Sequence, residues 1–127
     1  DQSGRTTQAA ASRQKAKDAL LKTIHPTTQR NYLKLARILT RHNITAVYVQ
    51  YPLRSVEPLK KILKPALNSD RMIFVDNEAV FRNAVQGTSF QDYFIDVFAG
   101  DFGHCTEKGN QLLAQNIASV LLKHIKK

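Results

Sequence analysis

Two short apolar runs separated by a helical segment constrain the fold of this 127-residue chain more than any other feature of its sequence. Residues 44–50 are β-branched, aromatic and apolar nearly throughout, as expected of a strand covered on both faces. Residues 72–75 form a second apolar run, and the pattern between the two predicts a helix over about residues 56–63. Strand, helix and strand in this order predict a parallel pair joined by a right-handed crossover, and therefore an α/β fold.

Helical periodicity predicts four further helices, over about residues 9–24, 27–43, 77–85 and from 107 onwards. The first has only a weak apolar face. Pro26 disfavours helical geometry in His25, so Thr27 or Thr28 is expected to cap the second helix. We therefore expect a polar segment with a weak helix over residues 1–26 and a folded domain over residues 27–127, with a loop at residues 88–105 that is long enough to suggest a function.

Positive charge is concentrated in the first half of the chain. Residues 1–68 contain 13 Lys and Arg against 3 Asp and Glu, whereas residues 69–127 contain 6 against 7. Such an excess can attract nucleic acid or anionic lipid. The cations fall at helical spacing among aliphatic residues, which indicates a solvated helix face. We therefore expect no nucleic-acid partner. No run approaches the roughly 18 apolar residues of a membrane span, so we expect no membrane span either.

The chain has one cysteine, Cys105, so neither an internal disulfide nor a cysteine-based zinc site is expected. Cys105 follows His104, but adjacent side chains in a turn usually point apart, which favours a small buried hydrophobe over a nucleophile. The other histidines (His25, His42 and His124) lie near predicted helix ends, where the C-terminal dipole favours them. No spacing supplies the three or four converging ligands of a metal site, so we expect no metal and no cofactor.

The sharpest local motif is Asp101-Phe102-Gly103-His104, in a glycine-bent turn ahead of the terminal helix. An aspartate three residues before a histidine can fold back so that its carboxylate accepts the Nδ1 proton of the imidazole. That contact fixes the tautomer and leaves Nε2 free as a base. The plainer interpretation is that Asp101 caps a turn and His104 only packs.

The residues that precede this motif also allow two interpretations. Asp96 is either an alternative partner for His104 or a structural acceptor. The aromatic residues Tyr93, Phe94 and Phe98 form either a wall that binds an acyl or alcohol group, or the anchors of a loop.

Taken together, these features resemble the C-terminal half of the SGNH hydrolases, also called GDSL esterases and lipases. The resemblance rests on a strand ending in Tyr51-Pro52, a second strand ending in Asp76, the Asp101-x-x-His104 block, and Gly109 ahead of a terminal amphipathic helix. It covers about residues 28–125, and the Asp-x-x-His block is its only catalytically specific motif.

The resemblance implies part of a flavodoxin-like three-layer fold and a serine hydrolase that acts on carboxylic acyl esters. It implies that His104 is the general base toward a serine and that Asp101 orients it, and we predict a hydrogen bond between these two side chains. Gly109, Ala114 and Ala118 match positions where the terminal helix of the family packs on the sheet.

Several residues of the family pattern are missing from this chain. The family takes its serine from a Gly-Asp-Ser block, and its oxyanion-hole glycine and asparagine from two further blocks, none of which occurs here. Phe102 stands where the serine would follow Gly100-Asp101, and Cys105 stands where many relatives have proline. We therefore expect the rear half of a longer hydrolase, with the first strands, the serine and most of the oxyanion hole upstream of Asp1.

Two other functions remain open from the sequence. A binding module would hold nucleic acid or an acidic partner on the basic half, but no nucleic-acid motif or interleaved aromatic residues support it. A non-catalytic scaffold would have the hydrolase fold without its activity, and the sequence upstream of this chain would decide that question.

Overall fold

A two-stranded parallel sheet lies at the centre of the fold. The computed structural model describes residues 25–66, 70–98 and 100–125, so the helix predicted at residues 9–24 lies outside the described residues. Strand β1 (Ala46–Val49) pairs in parallel with β2 (Met72–Val75), from Ala46 opposite Met72 to Val49 opposite Val75. The predicted parallel pairing is confirmed, and β1 is shorter than the apolar run that predicted it.

The helices flank this sheet and make up most of the described chain. They are α1 (Pro26–Arg41), α2 (Glu57–Leu63, continued by a 3-10 turn at Lys64–Ala66), α3 (Glu78–Gly87), α4 (Phe90–Tyr93) and α5 (Glu107–Ile125). Helix α4 lies within the segment that the sequence predicted as a loop. Across the described ranges, none of these helices has the length and apolar character needed to cross a bilayer.

Helix α1 begins differently from the prediction. Its N-cap is His25, whose Nδ1 accepts a hydrogen bond from the backbone N–H of Thr27 at 3.3 Å. Pro26 takes the first helical position, where the lack of an N–H costs nothing. The prediction of a threonine cap was therefore wrong. The predicted interaction of His25 with the C-terminus of the preceding helix lies outside the described residues.

One face of the sheet is covered by α1 and α2. Ala46 and Tyr48 of β1 are buried there with Ala36 of α1 and Leu63 of α2. Their side chains share one face of the strand because successive residues alternate. The ring of Tyr48 stacks on Phe74 of β2, with 5.3 Å between centroids. This cluster fixes the sheet against the first two helices.

The opposite face is covered only in part within the described residues. Ile73 and Val75 of β2 are buried there, and α5 contacts β2. Val47 and Val49 of β1, whose side chains point to the same face, remain 40% and 44% exposed. The prediction that β1 is covered on both faces was therefore wrong for the part of the chain that the structure describes, because α5 lies over β2 and leaves β1 uncovered.

A second core cluster lies beyond the carboxyl ends of the strands. It comprises Phe81 of α3, Tyr93 of α4, and Phe94 and Phe102 from the segment between α4 and α5. Asn77, fully buried after β2, donates from Nδ2 to the carbonyl of Gln50 at 2.6 Å, tying the ends of both strands together. These contacts hold the loops that follow β1 and β2 close to the start of α5.

Helix α5 packs differently from the family pattern. A Cβ on Gly109 would collide with the backbone carbonyl of Tyr93, so the missing side chain lets α5 approach α4 rather than the sheet. Ala114 and Ala118 are exposed. The expectation that these three small residues pack on the sheet is therefore wrong within the described residues. Asn116 of α5 instead donates to the carbonyl of Asp76, the residue after β2, at 2.9 Å.

Candidate active site

Asp96 and His104 form the best-defined polar pair in the segment between α4 and α5. The carboxylate of Asp96 accepts two hydrogen bonds from His104: its Oδ1 from the backbone N–H at 2.8 Å, and its Oδ2 from the ring Nδ1 at 2.7 Å. An ionised carboxylate can only accept, so Nδ1 carries the proton in this pair. The neutral ring then has its lone pair on Nε2.

Strand-like pairing places these two side chains together. Phe94 pairs with Cys105 and Phe98 with Phe102 in antiparallel bridges, and the N–H of Ile95 donates to the carbonyl of His104 at 2.8 Å. These contacts place Asp96 on the arm that faces Gly103 and His104. Asp96 and His104 are eight positions apart in sequence, and the turn at Gly100, with φ of 85°, reverses the chain between them.

Gly103 is required for this close approach. A Cβ on Gly103 would collide with the carbonyl oxygen of Asp96 and would lie 2.8 Å from its Oδ1. The bare α-carbon therefore lets the backbone of Asp96 lie against the chain next to His104. From the sequence, Gly103 was expected to let Asp101 fold back onto His104. In the structure it lets the backbone of Asp96 come close instead.

Asp101 does not bond to His104, and that prediction was wrong. Its carboxylate is held by the guanidinium of Arg54, with Nε at 3.1 Å and 3.3 Å from the two oxygens and Nη2 at 3.0 Å from Oδ1. Arg54 follows β1 and lies 47 residues earlier in the chain. The planar fork of an arginine matches the two oxygens of a carboxylate and donates to both of them.

The environment of the pair keeps Asp96 ionised. Hydrogen bonds from the backbone and side chain of His104 hold the pKa of Asp96 below its usual value. The imidazole side chain is 73% exposed, and within the described residues Nε2 has no hydrogen-bond partner. The arrangement therefore orients a base whose reactive nitrogen faces open space.

The aromatic residues separate into two groups. Tyr93 and Phe94 are buried with Phe81, so they anchor the segment and cannot form a binding wall. Phe98 is 58% exposed, and its ring centroid lies 6.1 Å from that of His104. Of the predicted wall, only Phe98 lies beside the histidine at the surface.

The residue before α5 fixes the end of this segment. Thr106 donates from its hydroxyl to the carbonyl of Asp92 at 2.6 Å and accepts there from the N–H of Gly109 at 3.1 Å. It thereby satisfies a backbone donor at the start of the helix.

The hydroxyl of Thr88 and the ammonium of Lys108 hold the pKa of Asp92 below its usual value.

Cys105 fits the structural interpretation better than the nucleophilic one. Partial burial raises the pKa of its thiol, which lowers the fraction of reactive thiolate at neutral pH. Nothing within residues 25–66, 70–98 and 100–125 gathers three or more His, Cys, Asp or Glu side chains as metal ligands.

Sequence reasoning ranked the two carboxylates in the wrong order and missed Arg54. Asp96 was named only as an alternative partner, because a spacing of eight residues carries no local signal. A basic residue in a loop after a strand gives no hint of a partner near the other end of the chain.

Acidification provides a test of the Asp96–His104 pair. The folded pKa of Asp96 is below the unfolded value of about 3.9, so the pair stabilises the fold above that pH and loses this contribution as pH falls through the folded pKa. We expect the Asp96→Asn variant to lose less free energy of unfolding than the wild type between about pH 5 and pH 2. Urea denaturation across this range measures the difference. The control is Asp70→Asn, at an exposed aspartate outside the segment between α4 and α5. Identical curves for wild type and Asp96→Asn would contradict the Asp96–His104 pair.

No family model matches this chain, and neither a curated protein nor a solved structure is significantly similar to it. The function therefore has to be argued from the site itself.

Proposed function

We propose that this chain is part of a serine hydrolase of the SGNH type that acts on carboxylic acyl esters, and that it contributes the general base His104. Asp96 takes the orienting role that the sequence motif gave to Asp101. The observation that carries the proposal is the pair of hydrogen bonds from His104 to Asp96, which leaves Nε2 unpartnered among the described residues. The wider fold of the proposed enzyme is flavodoxin-like.

The geometry suits proton transfer to and from a hydroxyl. In the proposed reaction a serine attacks the ester carbonyl while Nε2 of His104 takes its proton. The imidazolium formed is stabilised by the ionised Asp96 on the far side of the ring. His104 then returns the proton to the leaving alcohol, and the same base activates the water that releases the acid.

The outer edge of β1 supports the proposal that further strands complete the sheet. The N–H groups of Ala46 and Gln50 donate to carbonyls at either end of β2, so the backbone groups of Val47 and Val49 face away from β2. The same two valines expose their side chains. A parallel strand beside β1 would pair those backbone groups, and the crossover helix that comes with it would cover those side chains.

Such a strand would also bring its end to the candidate site. Parallel strands end at the same edge of a sheet, and ligands of open α/β sheets bind beyond that edge. The loop after β1 already reaches the segment of His104 through Arg54 and Asp101. A serine and oxyanion donors following the added strand would therefore lie on the side of the sheet where His104 is held.

Hydrolysis of an activated short-chain ester, such as p-nitrophenyl acetate, tests the proposal. We expect residues 1–127 alone to give no more turnover than a surface histidine or thiol, because serine and oxyanion donors supply most of the rate. The chain extended upstream through the expected Gly-Asp-Ser block should turn the ester over.

The controls separate this proposal from its rivals. Turnover by the 127-residue chain that survives Cys105→Ala would contradict it, because no nucleophile of the proposed kind would be present. A folded extended chain without turnover would also contradict it and would favour a non-catalytic scaffold.

A further inference from the structure

Arg54 links the loop after β1 to the segment that carries His104. Besides its three hydrogen bonds to Asp101, its guanidinium lies 5.2 Å from the ring centroid of Phe102. The ring of Tyr51, from the same loop, stacks on Phe102 with 4.9 Å between centroids. These contacts fix Asp101 and Phe102, which directly precede Gly103 and His104.

The loop that presents Arg54 is itself held in place. The side chain of Gln50 donates to the carbonyl of Ser55 at 3.1 Å, and Arg82 of α3 donates to the carbonyl of Leu53 at 3.4 Å. Leu53 has a φ of 62°, a backbone conformation that a leucine adopts only where its surroundings impose it. Arg54 is therefore presented from a defined loop and does not merely follow Asp101.

Two carboxylates lie close in sequence to a single imidazole, and only one of them bonds to it. Asp101 is three residues from His104, close enough for its carboxylate to fold back onto the ring if released. Both of its oxygens instead accept from Arg54, which directs the carboxylate to the loop after β1, while Asp96 accepts from Nδ1. We propose that Arg54 is a positioning residue that withholds Asp101 from His104 and so makes Asp96 the only carboxylate partner of the ring among the described residues. The consequence for catalysis rests on the proposed function, whereas the choice of partner does not.

The test reads the tautomer of His104 in the 127-residue chain, with no need for turnover. Long-range ¹H–¹⁵N spectra, recorded at a pH where the imidazole is neutral, show which ring nitrogen carries the proton. We expect mainly Nδ1–H in the wild type and a loss of that majority in Asp96→Ala. In the double variant Asp96→Ala/Arg54→Met, the Nδ1–H majority should return, because Asp101 is then free to accept from Nδ1. Adding Asp101→Ala to this double variant should abolish the Nδ1–H majority again.

Matched variants keep the result decisive. Lys60→Met in the Asp96→Ala background breaks the Lys60–Glu57 pair of α2, at 2.8 Å, and should restore nothing. Arg54→Gln repeats the experiment with a polar side chain in case the methionine variant loses its dispersed amide spectrum. Failure of both Arg54 variants to restore Nδ1–H in a folded chain overturns the proposal. Restoration that persists without Asp101 also overturns it, because the acceptor would then be another group. Neither outcome depends on whether the extended protein hydrolyses esters.

Discussion

Replacing Asp96 by Ala in the extended protein is expected to lower kcat for an activated ester by about 10⁴-fold, as loss of the orienting carboxylate does in a Ser-His-Asp triad. The physical reason is the hydrogen bond from Nδ1, at 2.7 Å, which sets the tautomer and would stabilise the imidazolium formed in the proposed reaction. His104→Ala should cost at least as much. Because members of such a unit act together, the double variant should be hardly worse than His104→Ala alone.

Asp101→Ala is the matched comparison, since the sequence motif alone would make it the catalytic aspartate. Its pair with Arg54 is partly exposed, and such pairs contribute about 0 to 1 kcal/mol to stability. That contribution is to folding, and Asp101 does not bond to His104, so kcat of the folded Asp101→Ala variant should fall far less than that of Asp96→Ala. Steady-state kinetics on both variants decide the matter: a larger loss in Asp101→Ala than in Asp96→Ala would return the orienting role to Asp101.

The sheet could be predicted from the sequence because its signals are local. The apolar run at residues 72–75 coincides with β2, and one helix between two apolar runs was enough to predict their parallel pairing. Burial of β1 could not be predicted in the same way. Whether Val47 and Val49 are covered depends on which element lies over that face, and α5 lies over β2.

The site shows the same limit more sharply. The turn and the following helix pointed to His104, which bonds to Asp96 in the structure, and its role as a base stays a prediction. The partner of His104 was not predicted correctly, since the choice between Asp96 and Asp101 is decided by Arg54, 47 residues before Asp101 in sequence. A spacing rule describes what a chain can do locally and says nothing about a distant side chain that competes for the same carboxylate.

Gly103→Ala is expected to break the Asp96–His104 pair without touching either side chain. The new Cβ would collide with the carbonyl oxygen of Asp96 and would lie 2.7 Å from its carbonyl carbon, which is shorter than any ordinary contact. The backbone has little room to yield, because the N–H of Ile95 is bonded to the carbonyl of His104 at 2.8 Å. Overpacking of this kind typically costs about 1–3 kcal/mol, so we expect a comparable loss in the free energy of unfolding.

Gly87→Ala is the control that separates this collision from the general effect of removing a glycine. A Cβ there meets nothing within 4 Å, and Gly87 is the last residue of α3, where alanine is favoured over glycine by up to about 1 kcal/mol. Urea denaturation should therefore show a lower free energy of unfolding for Gly103→Ala and an unchanged or higher one for Gly87→Ala. In the ring ¹⁵N spectra, the Nδ1–H majority should disappear in Gly103→Ala and persist in Gly87→Ala. If Gly103→Ala keeps both its stability and its Nδ1 proton, the close approach of Asp96 to Gly103 is not what holds the histidine, and the assignment of Asp96 loses its structural basis.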